Sequence, residues 1–370
     1  MKRIFKMRRL WLLLSYPVAA ALLYFASLHE NFAEWYAGTI YPVLSRAGNR
    51  LTGIAPFSVG EILVVLFLIL MPAAFIRLLV RLIRHRGRRG ETAAVFCVNL
   101  ACFTGIVFFL FTVNCGTNYY RSTFAQLSGF EIRPSGRAEL VRLCQSLAAD
   151  SNRLRAKEKT DGQSVMELRA PDFPKNADKA RKALDLLEKD FPSLRSGYGG
   201  PKPVAASKLM SYGQITGMFF PFTFEANVNT DAPDYTIPFT MCHELSHLRG
   251  FMREDEANFI SYLACSASPD GDFRYSGAAM AFTYASNALY SIDGKTANTV
   301  FSLLSEGVRR DLAANNAYWN RFKGPVARAA GSVNNHYLKA NDQKDGVQSY
   351  GRMVDLLLAL QRSREKGTSK

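Results

Sequence analysis

The stretch CHELSHLRGFMREDEANF, residues 242–259, decides how the rest of the chain is read. Pro238 stands where a helix can begin without losing an N–H bond, and Gly250 where one can end, so the residues between them read as a single helix. His243 and His247 lie four apart on one face of it, which lets both imidazoles reach the same metal ion. Glu244 sits beside them, placed to take a proton from a zinc-bound water. Zinc suits this set because it accepts neutral imidazoles and a carboxylate in a tetrahedral shell with one open position. One ion per chain is expected. Only five histidines occur in the chain. His29, His85 and His336 fall at the flanks of apolar runs or in a helical segment and read as surface or structural residues.

A catalytic site of this kind needs a third protein ligand, and Glu254, Asp255 and Glu256 follow the Gly250 turn. Glu254 is preferred, because Asn258 four residues later would share its face and could hydrogen-bond a ligand histidine. Glu256 is the alternative on helical-face geometry. Asp255 reads as a solvated charge. The acidic turn would also stabilise a helix N-terminus.

Upstream, three apolar runs stand out. Residues 10–28 carry no charge, residues 58–80 hold an uncharged stretch over 62–76, and residues 93–114 lie within an uncharged run over 92–120. Each is long enough for a helix to cross the hydrocarbon core. A cleaved signal peptide competes for the first run, but no small-x-small site follows it and further spans do. Up to Asn114 there are 13 Lys and Arg against four Asp and Glu, so most of the +15 net charge sits here. The clusters KRIFKMRR and RLIRHRGRR place the N-terminus and the second loop on the cytoplasmic side. Residues 30–57 and everything after residue 120 then lie outside, in contact with the bilayer at one end. The basicity is thus a topology signal, and nothing resembles a nucleic-acid module or a nucleotide loop.

Residues 121–361 alternate helical and extended patterns and read as one extracytoplasmic domain, ahead of a charged, disordered tail over 362–370. Residues 133–156 space Leu140, Leu143, Leu147 and Leu154 as an amphipathic helix, and a second helix is expected from Ala177. Residues 212–235, rich in Gly, Phe, Thr and Asn, suit short strands and loops. Of the six cysteines, Cys97 and Cys102 lie in the third span and Cys115 at its outer end, leaving Cys144, Cys242 and Cys265 in the domain. Pairing cannot be read from their positions.

The histidine motif followed by a turn and the EDEANF helix resembles the gluzincin zinc metallopeptidases. The fuller string, FFPFTFEANVN, then residues 242–265, then YLKANDQKDGVQSYGRMVDLL, resembles the bacterial membrane-protein family known as domain of unknown function 3810. The gluzincin resemblance implies His243, His247 and Glu254 as zinc ligands and Glu244 as general base, in a mostly helical α+β zincin-like domain; the three apolar runs and the membrane-family resemblance put that domain on a three-span anchor. The short gap between His247 and Glu254 departs from that pattern. It also implies a strand along the cleft to which a substrate chain adds; residues 219–229 are the candidate, with Phe220, Phe222 and Phe224 on one face and Glu225, Asn227 and Asn229 on the other. Phe222, Phe224 and Asn227 are its expected contacts. Tyr337, Tyr350 and His336 are oxyanion candidates by residue type.

The leading expectation is a membrane-anchored zinc peptidase acting on peptides or exported proteins. A non-catalytic metal-binding envelope scaffold or sensor is the alternative, weakened by Glu244, which a structural zinc site does not need. An intramembrane protease fits poorly, since the motif lies beyond the last span among charged residues.

Overall fold

The computed structural model describes the backbone of residues 8–340 and 351–368 and the side chains of 8–336 and 351–365. After a short 3-10 turn come α1 (Ser15–Leu28), α2 (Glu30–Trp35), α3 (Tyr41–Thr52), α4 (Val59–Arg84) and α5 (Arg89–Asn114). Three stretches, Arg8–Leu28, Val59–Arg84 and Arg86–Asn114, are long and apolar enough to cross a membrane. Every side chain of α4 from Ile62 to Leu70 is exposed, an apolar surface that suits lipid and not water. α1 packs on α5, where Gly105 makes room for Ser15 and Tyr16 and the Tyr16 hydroxyl lies 2.6 Å from Thr104 Oγ1. The start of α4 and the end of α5 meet one globular domain. Arg84, Arg86, Arg88 and Arg89 lie at the opposite ends of α4 and α5.

That domain holds α6 (Phe124–Ser128), α7 (Arg137–Arg155), α8 (Phe173–Leu186), β1 (Lys202–Pro203), α9 (Ser207–Tyr212), β2 (Gly217–Phe220), β3 (Glu225–Val228), α10 (Ile237–Leu248), α11 (Glu254–Ala267), α12 (Gly271–Ile292), α13 (Gly294–Phe301), α14 (Glu306–Asn320), α15 (Pro325–Ala340) and α16 (Arg352–Thr368). α10 forms its centre, with every residue but His243 buried, against the sheet on one side and α8, α11 and α12 on others. α7 lays Leu140, Leu143, Leu147 and Leu154 into this core, as their spacing predicts. The described cysteines form no disulfide; Cys242 on α10 and Cys265 on α11 face each other with their sulfurs 3.9 Å apart.

Three expectations need correction. First, residues 219–229 are not one strand. The sheet order is β1-β3-β2, with β3 parallel to β1 and antiparallel to β2, so Phe219 and Phe220 lie on the edge strand and Glu225 to Val228 on the buried central one. Between them the chain turns, with Phe224 at φ +51, a conformation costly for a residue with a side chain. Its ring is seated against α3, where a Cβ on Gly48 would come within 2.3 Å of it, and Asn49 Nδ2 donates to its carbonyl at 2.9 Å.

Second, residues 30–57 are not a loop apart from the domain but part of its wall. Tyr41 is fully buried and its hydroxyl donates to the carbonyls of His247 and Leu248 at 3.3 and 3.2 Å. Glu34 accepts two hydrogen bonds from Arg121. Hydropathy could not reveal this, because the partners of the segment lie 87 to 207 residues away along the chain.

Third, residues 362–368 continue α16, not a disordered tail: Arg362 reaches back to α7 and pairs with Glu139 at 2.9 Å.

The turn after α7 meets the first residues of α12, and that contact yields a pH prediction. Glu158 and Asp272 lie side by side with 1% and 0% of their side chains exposed. Burial, aided by a hydrogen bond shared with Asp272, pushes Glu158 up to about 7. Its carboxyl therefore holds a proton in the folded chain at pH values where the unfolded chain has lost it. The stability this gives is complete below the unfolded value near 4.5 and is lost as pH rises through about 7. Glu158→Gln is expected to flatten Tm against pH over that window and to raise Tm at pH 8 above that of the wild type; thermal unfolding in detergent micelles measures it.

Candidate metal centre

α10 delivers two histidines and then stops. Gly250 adopts φ +90, where an added Cβ would press within 3.1 Å of the Tyr41 ring, so the turn is specific to glycine. The Phe251 N–H closes the turn on the Ser246 carbonyl at 3.2 Å, and α11 sets off with Glu254 as its first residue. This reversal returns Glu254 to the face that carries His243 and His247.

Three side chains converge there. His243 Nε2 and His247 Nε2 are 3.0 Å apart, and the Glu254 carboxylate lies 3.3 Å from the first and 3.6 Å from the second. A tetrahedral shell with zinc–ligand bonds of about 2.0–2.1 Å places its ligand atoms about 3.3 Å from one another, so the donor set matches the size of the ion. The two opposed nitrogens support the same reading. His247 Nδ1 lies 2.7 Å from the Phe251 carbonyl, which can only accept, and His243 Nδ1 lies 2.9 Å from Asn258 Oδ1. With both Nδ1 atoms donating, both Nε2 atoms face one point, and His243 presents a lone pair there once its Nε2 proton is displaced. Among the described residues this is the cluster of His, Cys, Asp and Glu able to hold a metal. Glu254 is the carboxylate that geometry selects.

The charges agree. Burial opposes protonation of His243, yet the hydrogen bond and charge of Glu254, with Glu244 nearby, outweigh it and hold His243 at about 9. Burial and the His243 charge push His247 down to about 4. Burial would raise Glu254, but its histidine partners keep it at about 2. The cluster thus carries a carboxylate anion and a proton that a dication can displace.

Glu244, next to His243 in α10, is buried, and burial, opposed by the His243 charge, raises it to about 8. The Phe219 N–H of the edge strand donates to its carboxylate. β2 runs so close to it that a Cβ on Gly217 would lie 2.5 Å from Glu244 Oε1 and 2.8 Å from Thr240 Cγ2. Gly217→Ala should therefore displace Glu244 or the strand, lowering any activity that depends on Glu244 about tenfold or more while leaving metal affinity within about threefold. Isothermal titration with zinc and a rate assay on the same preparation check both halves.

The remaining candidates fall elsewhere. Glu256 turns away to accept from the Phe124 N–H at 2.8 Å and from Arg253 at 3.2 Å and does not join the converging groups. Asp255 is buried and not solvated; burial and the neighbouring Glu256 charge push it up to about 7. Phe222 and Phe224 occupy the hairpin turn, and Asn227 is buried in β3 donating to the Met218 and Glu225 carbonyls. None of the three lies on the free edge. His336 is bound to Ser332 on exposed α15, while the Tyr337 side chain and Tyr350 lie outside the described residues. The Phe251 carbonyl, the Phe219 N–H and Gly217 carry no signal a single sequence exposes, since two are backbone groups and the third matters by lacking a side chain.

A family model described as protein of unknown function (DUF3810) matches residues 36–358. No curated protein and no solved structure matches the chain.

Proposed function

This chain belongs to that family of proteins of unknown function, DUF3810, and we propose that it is a membrane-anchored, zinc-dependent peptidase of the gluzincin type. One observation carries the reading: a three-ligand cluster of zinc dimensions has a buried carboxylate, Glu244, beside it that no ligand role uses. A structural site would close its fourth position and would not need that group.

Held by His243, His247 and Glu254, zinc would supply Lewis-acid polarisation of a peptide carbonyl and would acidify water. Glu244 takes the proton of the attacking water as its oxygen bonds to the carbonyl carbon. The same proton then passes from Glu244 to the amide nitrogen as the C–N bond breaks. Asn258 and the Phe251 carbonyl fix the two imidazoles in the tautomer that leaves Nε2 free to bind. β2, at the edge of its sheet and touching Glu244, offers main-chain groups to an extended substrate. The arginine-rich ends of α4 and α5 favour the cytoplasmic side, which puts the domain outside the cytoplasmic membrane, facing exported polypeptides.

The test uses the full chain in lipid nanodiscs with a mixture of quenched fluorescent peptides. Hydrolysis is expected to fall to background after chelation and to return on adding one equivalent of zinc. Hydrolysis that persists in the metal-free chain would reject the reading.

A further inference from the structure

The membrane anchor and the candidate metal centre meet opposite ends of one small sheet. Glu225 of β3 accepts hydrogen bonds from Val59 N and Gly60 N, the first turn of α4, at 3.1 and 2.7 Å. Lys202 of β1 lies 2.5 Å from Glu225 and also donates to the Thr52 and Phe57 carbonyls that lead into α4. From the other side, Glu61 of α4 accepts from Ala205 N and Ala206 N at 2.9 and 2.8 Å, which fixes the start of α9. The lipid-suited surface of α4 begins at Ile62, one residue later.

The edge strand spans the distance between this root and the metal centre. At its far end Phe220 packs on Gly60, where a Cβ would meet the ring at 2.9 Å; at its near end Gly217 touches Glu244. Three residue steps along the strand separate those contacts, about 10 Å at roughly 3.3 Å per residue. Around the root the domain exposes large apolar side chains: Leu51, Ile54 and Phe57 ahead of α4, and Leu209 and Tyr212 on α9, with Leu51, Ile54 and Leu209 each at least 70% exposed. Leu51, Ile54 and Phe57 precede the span directly and α9 starts at the residues bound to Glu61, so these apolar side chains adjoin the root of the span, where a bilayer would cover them.

We propose that the cleft opens at the bilayer surface and that its substrate is a membrane-anchored polypeptide, cut within about ten residues of the point where its own spanning helix emerges. The proposal rests on the peptidase reading above. A chain leaving the bilayer in extended form beside Phe220 runs along β2 and reaches Glu244 after only a few residues. Anchoring raises its local concentration at this edge, whereas a free peptide must find the cleft from solution.

The experiment uses the full chain with zinc in proteoliposomes. Nitroxide labels are placed at Leu209→Cys and Ile54→Cys in a Cys97→Ser background, and their depth is read from oxygen and nickel accessibility. In parallel, a synthetic peptide with one spanning helix and a thirty-residue outer extension is compared with the extension alone, and cut sites are read by mass spectrometry. Both labels are expected at the headgroup level, with cuts confined to the first ten or so residues and the anchored peptide cleaved about tenfold faster or more. Labels in bulk water would overturn the proposal whatever the activity. Equal rates for both peptides, with cuts unrelated to the anchor, would overturn it while the peptidase reading stands. Cleavage of neither peptide would reject both.

Discussion

Glu244→Gln is expected to bind zinc as the wild type does and to hydrolyse peptides about 10²–10⁴-fold more slowly, the range that a positioned general base contributes. The amide matches the carboxylate in size, so the close fit against Gly217 and Thr240 is kept. Its carbonyl can still accept from the Phe219 N–H. What it cannot do is take a proton from water and return it to the leaving amine. The three converging side chains are untouched, since Glu244 is not among them. Metal content and kcat measured on one preparation separate the two roles. Undiminished activity would remove Glu244 from the mechanism; lost metal would make it a ligand or a fold element.

Glu254→Ala and Glu256→Ala are expected to part company although their carboxylates are two residues apart. Removing Glu254 deletes a group 3.3 Å from His243 Nε2 and should weaken zinc binding by more than about 100-fold, beyond what changes to outlying hydrogen bonds produce. Removing Glu256 leaves the Phe124 N–H and the Arg253 guanidinium without their buried acceptor. Stability should then fall by about 1–3 kcal/mol with zinc affinity within about threefold. Zinc titration and denaturant unfolding of each variant decide it. Equal, small effects on affinity would reject the ligand assignment.

How far these features were legible in the chain depends on the range of the interaction that makes them. The apolar runs became helices of spanning length because length and uncharged composition are local properties. The two histidines share a face because helical periodicity is local too. Glu254 could only be preferred, since its place depends on the φ of Gly250 and on Tyr41 closing the turn from about 200 residues away. The hairpin was misread as a strand because FFPFTFEANVN alternates throughout, while the break at Phe224 is enforced by Gly48 and Asn49 on a distant helix. Asp255 looked solvated by type, yet its environment is made by α11 packing on α16, a contact no local pattern announces. Backbone groups such as the Phe251 carbonyl, which orients His247, have no signature in side-chain identity at all.

The most direct measurement is the metal content of the purified full chain, wild type beside His243→Ala, by elemental analysis after zinc loading and removal of excess. The predicted result is one zinc per wild-type chain and loss of it in His243→Ala, with both proteins folded by circular dichroism. A wild-type chain that stays metal-free, or a His243→Ala chain that keeps its zinc, would contradict the account of this site.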